Sequence, residues 1–117
     1  ALCGDGGFML NPGELGTAVE AGCDLMLLLM NDGGYGVIRN IQDSTYGGRH
    51  GFTDLMNPDF AALIGAFGAR HAKVGDAASL AAAMDAALAR RGVDVIEVDM
   101  HAFGAFGINF AGPPKTH

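Results

Sequence analysis

Leu25-Met26-Leu27-Leu28-Leu29-Met30, followed without a break by Asn31-Asp32-Gly33-Gly34-Tyr35-Gly36, fixes the architecture of this chain. Six apolar residues in a row leave no polar face, which suits a strand covered on both sides, as in a parallel sheet, better than an alternating edge strand. A run of six is also far below the roughly 20 residues that span a bilayer. The polar, glycine-laden turn at the strand's carboxyl end lies where open α/β sheets place their ligands.

Upstream, Ala1-Leu2-Cys3 reads as the end of a strand whose beginning is missing, and it runs into a second glycine turn, Gly4-Asp5-Gly6-Gly7. Asn11-Pro12-Gly13-Glu14 has the order of an N-cap, a proline at the first helical position and a capping-box glutamate, and it predicts a helix over 12–21 stopped by Gly22. Downstream, a short helix is expected to start over 35–42 and a surface loop to fill 43–56. Asn57-Pro58-Asp59 repeats the cap-then-proline signature for a helix reaching Phe67. A short strand at 72–74 precedes the longest helix, capped by Asp76, with Leu80, Met84 and Leu88 recurring every four residues and Arg90 and Arg91 at its negative end. Residues 93–100 are β-branched and strand-like, and a tail is expected from about 101.

Strands and helices therefore alternate, and the expected fold is α/β: an open, mostly parallel sheet with helices on both faces, truncated at its N-terminus. The domain organisation is one partial domain over 1–117. The charge balance, 7 Lys+Arg against 13 Asp+Glu for a net charge of -6, offers no basic stripe for nucleic acid or an anionic membrane surface. Cys3 and Cys23 have neither disulfide-framework nor zinc-site spacing, which fits a reducing, cytoplasmic compartment.

The two turns should face one crevice. Asp5 and Asp32 supply hard oxygen donors of the kind a magnesium ion prefers, and Gly6 and Gly7 let a ligand approach the backbone and leave amides free for an anion. A metal-bridged diphosphate, held without lysine or arginine, satisfies both features. The bland readings are different. Asp5 alone is an ordinary Asx-turn residue, Glu14 a helix cap, Met26 and Met30 core filling, and Arg70 and Lys73 solvated charges. His50, His71, His101 and His117 share no ligand spacing, although His50 sits with Tyr46 and Arg49 in a loop of the kind that closes on substrate.

Gly4-Asp5-Gly6 paired with Asn31-Asp32 resembles the signature of thiamine-diphosphate-dependent enzymes. Phe8-Met9-Leu10-Asn11, Glu14-Leu15, Thr17-Ala18-Val19 and Asn31 through Gly36 are similar to the C-terminal cofactor-binding domain of the acetolactate synthase, benzoylformate decarboxylase and pyruvate decarboxylase group. The resemblance implies thiamine diphosphate and Mg2+ as cofactors. Asp5, Asp32 and the carbonyl of Gly34 would be the metal ligands. Gly4, Gly6 and Gly7 would lie along the diphosphate and Tyr35, Gly36 and Val37 along the cofactor, Val37 supporting its bent conformation. It further implies a 2-oxo acid substrate, an activating glutamate in an absent N-terminal domain, and a second subunit, hence at least a dimer. The sequence departs from the group at Asp32, where the second asparagine is usual, at Ile38, where pyruvate decarboxylases have a catalytic glutamate, and at Ile41, where acetolactate synthases have tryptophan. Tyr35-Gly36-Val37-Ile38-Arg39 is closest to the benzoylformate decarboxylase pattern. No catalytic residue is assigned. A non-catalytic fragment or interaction domain and a flavodoxin-like nucleotide-binding module are the alternatives, the latter leaving the paired acidic turns unexplained.

Overall fold

The structure, a computed structural model, describes residues 1–104. Four strands, β1 (Leu2–Gly4), β2 (Leu25–Asn31), β3 (Arg70–Val74) and β4 (Val93–Asp99), form one sheet in the order β1-β2-β4-β3, every pair parallel. Six helices accompany them: α1 (Asp5–Phe8), α2 (Glu14–Glu20), α3 (Gly36–Tyr46), α4 (Phe60–Ala66), α5 (Ala77–Leu88) and α6 (Met100–Phe103). The expected α/β fold is therefore present, and the sheet is wholly parallel.

Chain direction explains which face each helix covers. From β1 through β2 to β3 the chain moves one way across the sheet, and only β3 to β4 steps back. Right-handed crossovers put helices of one travel direction on one face and those of the other on the opposite face. Accordingly Phe8, Leu15, Phe60 and Ile64, from α1, α2 and α4, bury Leu27, Leu29, Val93 and Val95. Leu80, Met84 and Ala87 of α5, with Phe103 of α6, cover Ile96 and Val98 on the other face. Leu88, expected in the same stripe, is 71% exposed, and Ala87 takes its place in the core.

Several boundaries differ from expectation for identifiable reasons. Residues 12–13 form a turn and not the first helical turn. Leu15 N–H donates to Pro12 O at 3.1 Å, and Gly13 already has helical angles, so no side-chain cap or capping box forms with Asn11 and Glu14. The capping box is made instead at α5, where Asp76 accepts from Ser79 N–H at 2.8 Å. α3 extends four residues into the expected loop and stops at Gly47, whose φ of 62° ends a helix without strain. The cap of α4 is Asp59, accepting from Ala62 N–H at 3.1 Å, which releases Asn57 for another task.

Met100 opens α6 where the last residue of a strand was expected, and His101 lies in that helix. The remainder of the predicted tail, from 105, lies outside the described residues. Arg70 and Lys73 are engaged and not simply solvated. Arg70 holds buried Asp94 at 2.7 Å together with Arg90, and Lys73 reaches Glu97 at 3.3 Å and Asp99 at 3.5 Å.

Candidate functional site

Gly4 ends β1 directly opposite Met30 of β2, so the turns after the two strands emerge side by side at the carboxyl end of the sheet. Asp5 opens α1 there and is 1% exposed. Asn31 and Asp32 each bend the following backbone onto their own side chains. Asn31 Oδ1 accepts from Gly33 N–H at 3.1 Å and Asp32 Oδ1 from Gly34 N–H at 3.2 Å. The segment after α3 returns to brace this turn. Tyr35 N–H donates to Thr53 O at 2.8 Å and Leu55 N–H to Gly33 O at 2.9 Å, across an antiparallel bridge between Gly34 and Asp54.

The two turns and the first residues of α3 enclose a cleft of about 260 Å³. Gly4, Asp5, Gly6, Gly7, Asp32, Gly34, Tyr35, Gly36 and Val37, the residues singled out from the sequence, all line it. Met30, Ile38 and Met100 add apolar wall that the sequence reading did not assign.

Close approach accounts for three of the glycines. A Cβ on Gly6 would enter the Tyr35 ring, one on Gly34 would collide with the Thr53 carbonyl, and one on Gly36 would meet the Asp32 carboxylate. The same crowding sets the electrostatics. Burial first, and then the neighbouring Asp5 carboxylate, push the Asp32 carboxyl above its usual range, against the pull of the Gly34 N–H and Arg39. Two carboxylates thus share a partly dry cleft, and no lysine, arginine or histidine is among the residues lining it.

Among the described residues no three His, Cys, Asp or Glu side chains converge on a metal position. The donor set here is two carboxylates beside glycine backbone. That suits a hard cation that takes few protein ligands and fills its remaining positions with water and phosphate oxygens, the habit of Mg2+, and it does not suit zinc. The residues fit a magnesium-bridged diphosphate on that ground.

Asn57 also escaped the sequence reading. Its Nδ2 donates to Asp5 Oδ2 at 2.5 Å and to Asn31 Oδ1 at 3.1 Å. His101 presents Nε2 to Asp32 O at 2.9 Å, steadying the turn from α6. Neither contact leaves a mark in local spacing. His50 is not brought to the cleft; its Nε2 lies 2.6 Å from Asp43 Oδ1 on the exposed end of α3.

The family described as thiamine pyrophosphate enzyme, C-terminal TPP binding domain, matches residues 1–98. The chain belongs to this family. Relatives in sequence include the acetolactate synthase isozyme 2 large subunit of Escherichia coli, 32% identical over 100 residues that make up 85% of this chain and 18% of that protein. The acetolactate synthase of Arthrospira platensis is 29% identical over 83% of this chain and 17% of its own length. Among solved structures, the thiamine diphosphate-dependent 4-hydroxybenzoylformate decarboxylase of Rhodococcus jostii superposes with a TM-score of 0.77 at 28% identity. It covers 83% of this chain and 18% of that one. The chain therefore spans less than a fifth of the length of these relatives. It is the TPP-binding domain of the acetolactate synthase and decarboxylase family, and the cleft of this TPP-binding domain carries the glycine turns that first suggested it.

Proposed function

We propose that this domain holds the diphosphate of thiamine diphosphate through Mg2+, as part of an enzyme that decarboxylates a 2-oxo acid or joins two of them. The single observation that carries the reading is the pairing of Asp5 and Asp32 in one cleft lined, among the described residues, by no cationic side chain. Two facing carboxylates repel an anion, so a diphosphate can enter only with a divalent cation between them. Asp5, Asp32 and the Gly34 carbonyl would hold that cation, Gly4, Gly6 and Gly7 would offer backbone to the diphosphate, and Tyr35, Gly36 and Val37 would line the rest of the cofactor.

The placement of the other cations supports this division of labour. Arg39, Arg70, Lys73, Arg90 and Arg91 are each paired with a carboxylate, and Arg49 donates to Tyr46 O, so each described lysine or arginine already has a partner, including Arg39, which stands beside Gly34. When bound, thiamine diphosphate supplies the electron sink that lets a 2-oxo acid lose carbon dioxide. This chain's own part is to anchor and orient. Additional domains and a second subunit would complete the site, in keeping with the greater length of the relatives, and the free thiols Cys3 and Cys23 suit a cytoplasmic enzyme.

Calorimetry of the full-length protein with thiamine diphosphate, with and without Mg2+, tests the reading. Binding is expected only with the metal, and Asp5→Ala is expected to abolish it. Equal affinity in the Asp5→Ala protein would overturn the assignment.

A further inference from the structure

Asn57 belongs to neither glycine turn, yet it ties the two together. One amide nitrogen donates to Asp5 Oδ2 at 2.5 Å and to Asn31 Oδ1 at 3.1 Å, across 52 and 26 residues of sequence. An asparagine NH2 is suited to this because it carries two protons and can give one to each turn. Asn31 is fixed from its other side. Its Nδ2 donates to Glu97 Oε1 at 2.8 Å, and Glu97, 4% exposed, also takes His71 Nε2 at 2.8 Å and Lys73 Nζ at 3.3 Å. A continuous line of hydrogen bonds thus runs from Asp5 through Asn57 and Asn31 to a buried, cation-supported carboxylate on β4.

The consequence for Asp5 is geometric. Its carboxylate is buried, Asn57 holds one of its oxygens, and it stands within hydrogen-bond reach of the Asp32 carboxylate, so its orientation decides how the two acids present themselves to a ligand. A donor on the far oxygen of a metal-binding carboxylate fixes its rotamer and its charge distribution, and loss of such a partner typically weakens metal binding by about 10- to 100-fold. We propose that Asn57 is the positioning residue of the metal site, setting the rotamer of Asp5 and the separation of the Asp5 and Asp32 turns so that both carboxylates meet one cation. The proposal rests on the reading that Asp5 and Asp32 hold Mg2+. Asn57 is not among the residues lining the cleft and would act only through its neighbours.

The test uses the full-length protein as parent, Asn57→Leu, which keeps the bulk and removes the donor, and Asn57→Ala. Mg2+ is titrated at fixed thiamine diphosphate, the spectrum of Mn2+ bound in place of Mg2+ is recorded, and Tm is measured without metal. The Mg2+ midpoint is expected to rise by about 10- to 100-fold in both variants, with an altered Mn2+ spectrum, and excess Mg2+ is expected to restore cofactor binding to the parental level. An unchanged midpoint and spectrum in a folded variant overturn the proposal. So does a loss of cofactor binding that excess Mg2+ does not repair, which would make Asn57 a shaper of the cleft, and so does failure of both variants to fold. A parent that binds cofactor equally well without Mg2+ removes the reading of the site itself, whereas a metal-dependent parent with unaffected variants removes only the role of Asn57.

Discussion

At Asp32 a carboxylate stands beside a second carboxylate and against Gly36, where a side chain could be added only by displacing that carboxylate. Restoring the asparagine usual in this family keeps an oxygen acceptor for the Gly34 N–H and removes a charge that burial, and then repulsion from Asp5, disfavour. Asp32→Asn is expected to keep the fold and cofactor binding while lowering affinity for Mg2+ in the absence of cofactor. Asp32→Ala is expected to lose cofactor binding at ordinary Mg2+ levels, and parental binding by that variant would place the metal elsewhere. Gly36→Ala probes the same carboxylate from outside. The added Cβ meets only the end of the flexible Asp32 side chain, so Tm should hardly move while the Mg2+ midpoint rises as the carboxylate swings away. Asp5 and Asp32 were legible in the sequence because each follows a strand among glycines, although the turn expected at Gly4-Asp5-Gly6-Gly7 is the end of β1 running straight into α1. Asn57 was not, because Asn-Pro-Asp spells a helix cap equally well, and only the tertiary fold shows that Asp59 does the capping while Asn57 faces Asp5.

β4 shows what a strand's sequence conceals. Val93, Val95, Ile96 and Val98 announce a central strand, but Asp94 and Glu97 are each 4% exposed, and an alternating polar pattern does not signal two buried acids. Their partners come from other elements. Arg70 of β3 donates through Nε at 3.1 Å and Nη2 at 2.7 Å, and Arg90, after α5, closes on the same carboxylate. The Arg70 hydrogen bonds, outweighing burial and joined by Arg90, hold the Asp94 carboxyl below its usual range. A carboxyl depressed in the folded state stabilises the fold above its unfolded pKa, near 3.9, and that contribution is lost as pH falls through the folded value. Tm should thus hold steady down to about pH 5 and fall in more acid solution, and Asp94→Asn should lower the plateau and flatten the acid limb. A pH series of melting curves for both proteins checks this, and parallel limbs would deny Asp94 the role. The apolar half of the same architecture is simpler. Ile64 of α4 is 0% exposed, and Ile64→Ala should cost about 2–5 kcal/mol in denaturant unfolding, since it opens a cavity beneath the sheet.

For the molecule as a whole, the order β1-β2-β4-β3 sets the active end. That helices would cover both faces of a parallel sheet was legible from the alternation of elements, whereas the strand order, α1 and the reach of α3 were not, the last two because glycine and polar residues give no apolar stripe. The sheet gathers its glycine-rich segments at one end, and no described cation is among the residues lining their cleft, within a chain of net charge -6. Cofactor alone should therefore be repelled, and metal alone should bind weakly because only two protein carboxylates greet it. Together each supplies what the other lacks, so their affinities must be coupled, and the coupling must be the same in both directions. In melting experiments on the full-length protein, thiamine diphosphate with a chelator should leave Tm unchanged and Mg2+ alone should raise it slightly. With Mg2+ saturating, cofactor at about one hundred times its dissociation constant should add on the order of 2.7 kcal/mol of stability beyond the metal's own effect, read as a clear rise in Tm. A cofactor-induced rise that survives the chelator would show that the diphosphate is held by backbone amides without the metal. That outcome would assign the Asp5 and Asp32 pair to the architecture of the turns and leave their shared cleft without a cation to explain it.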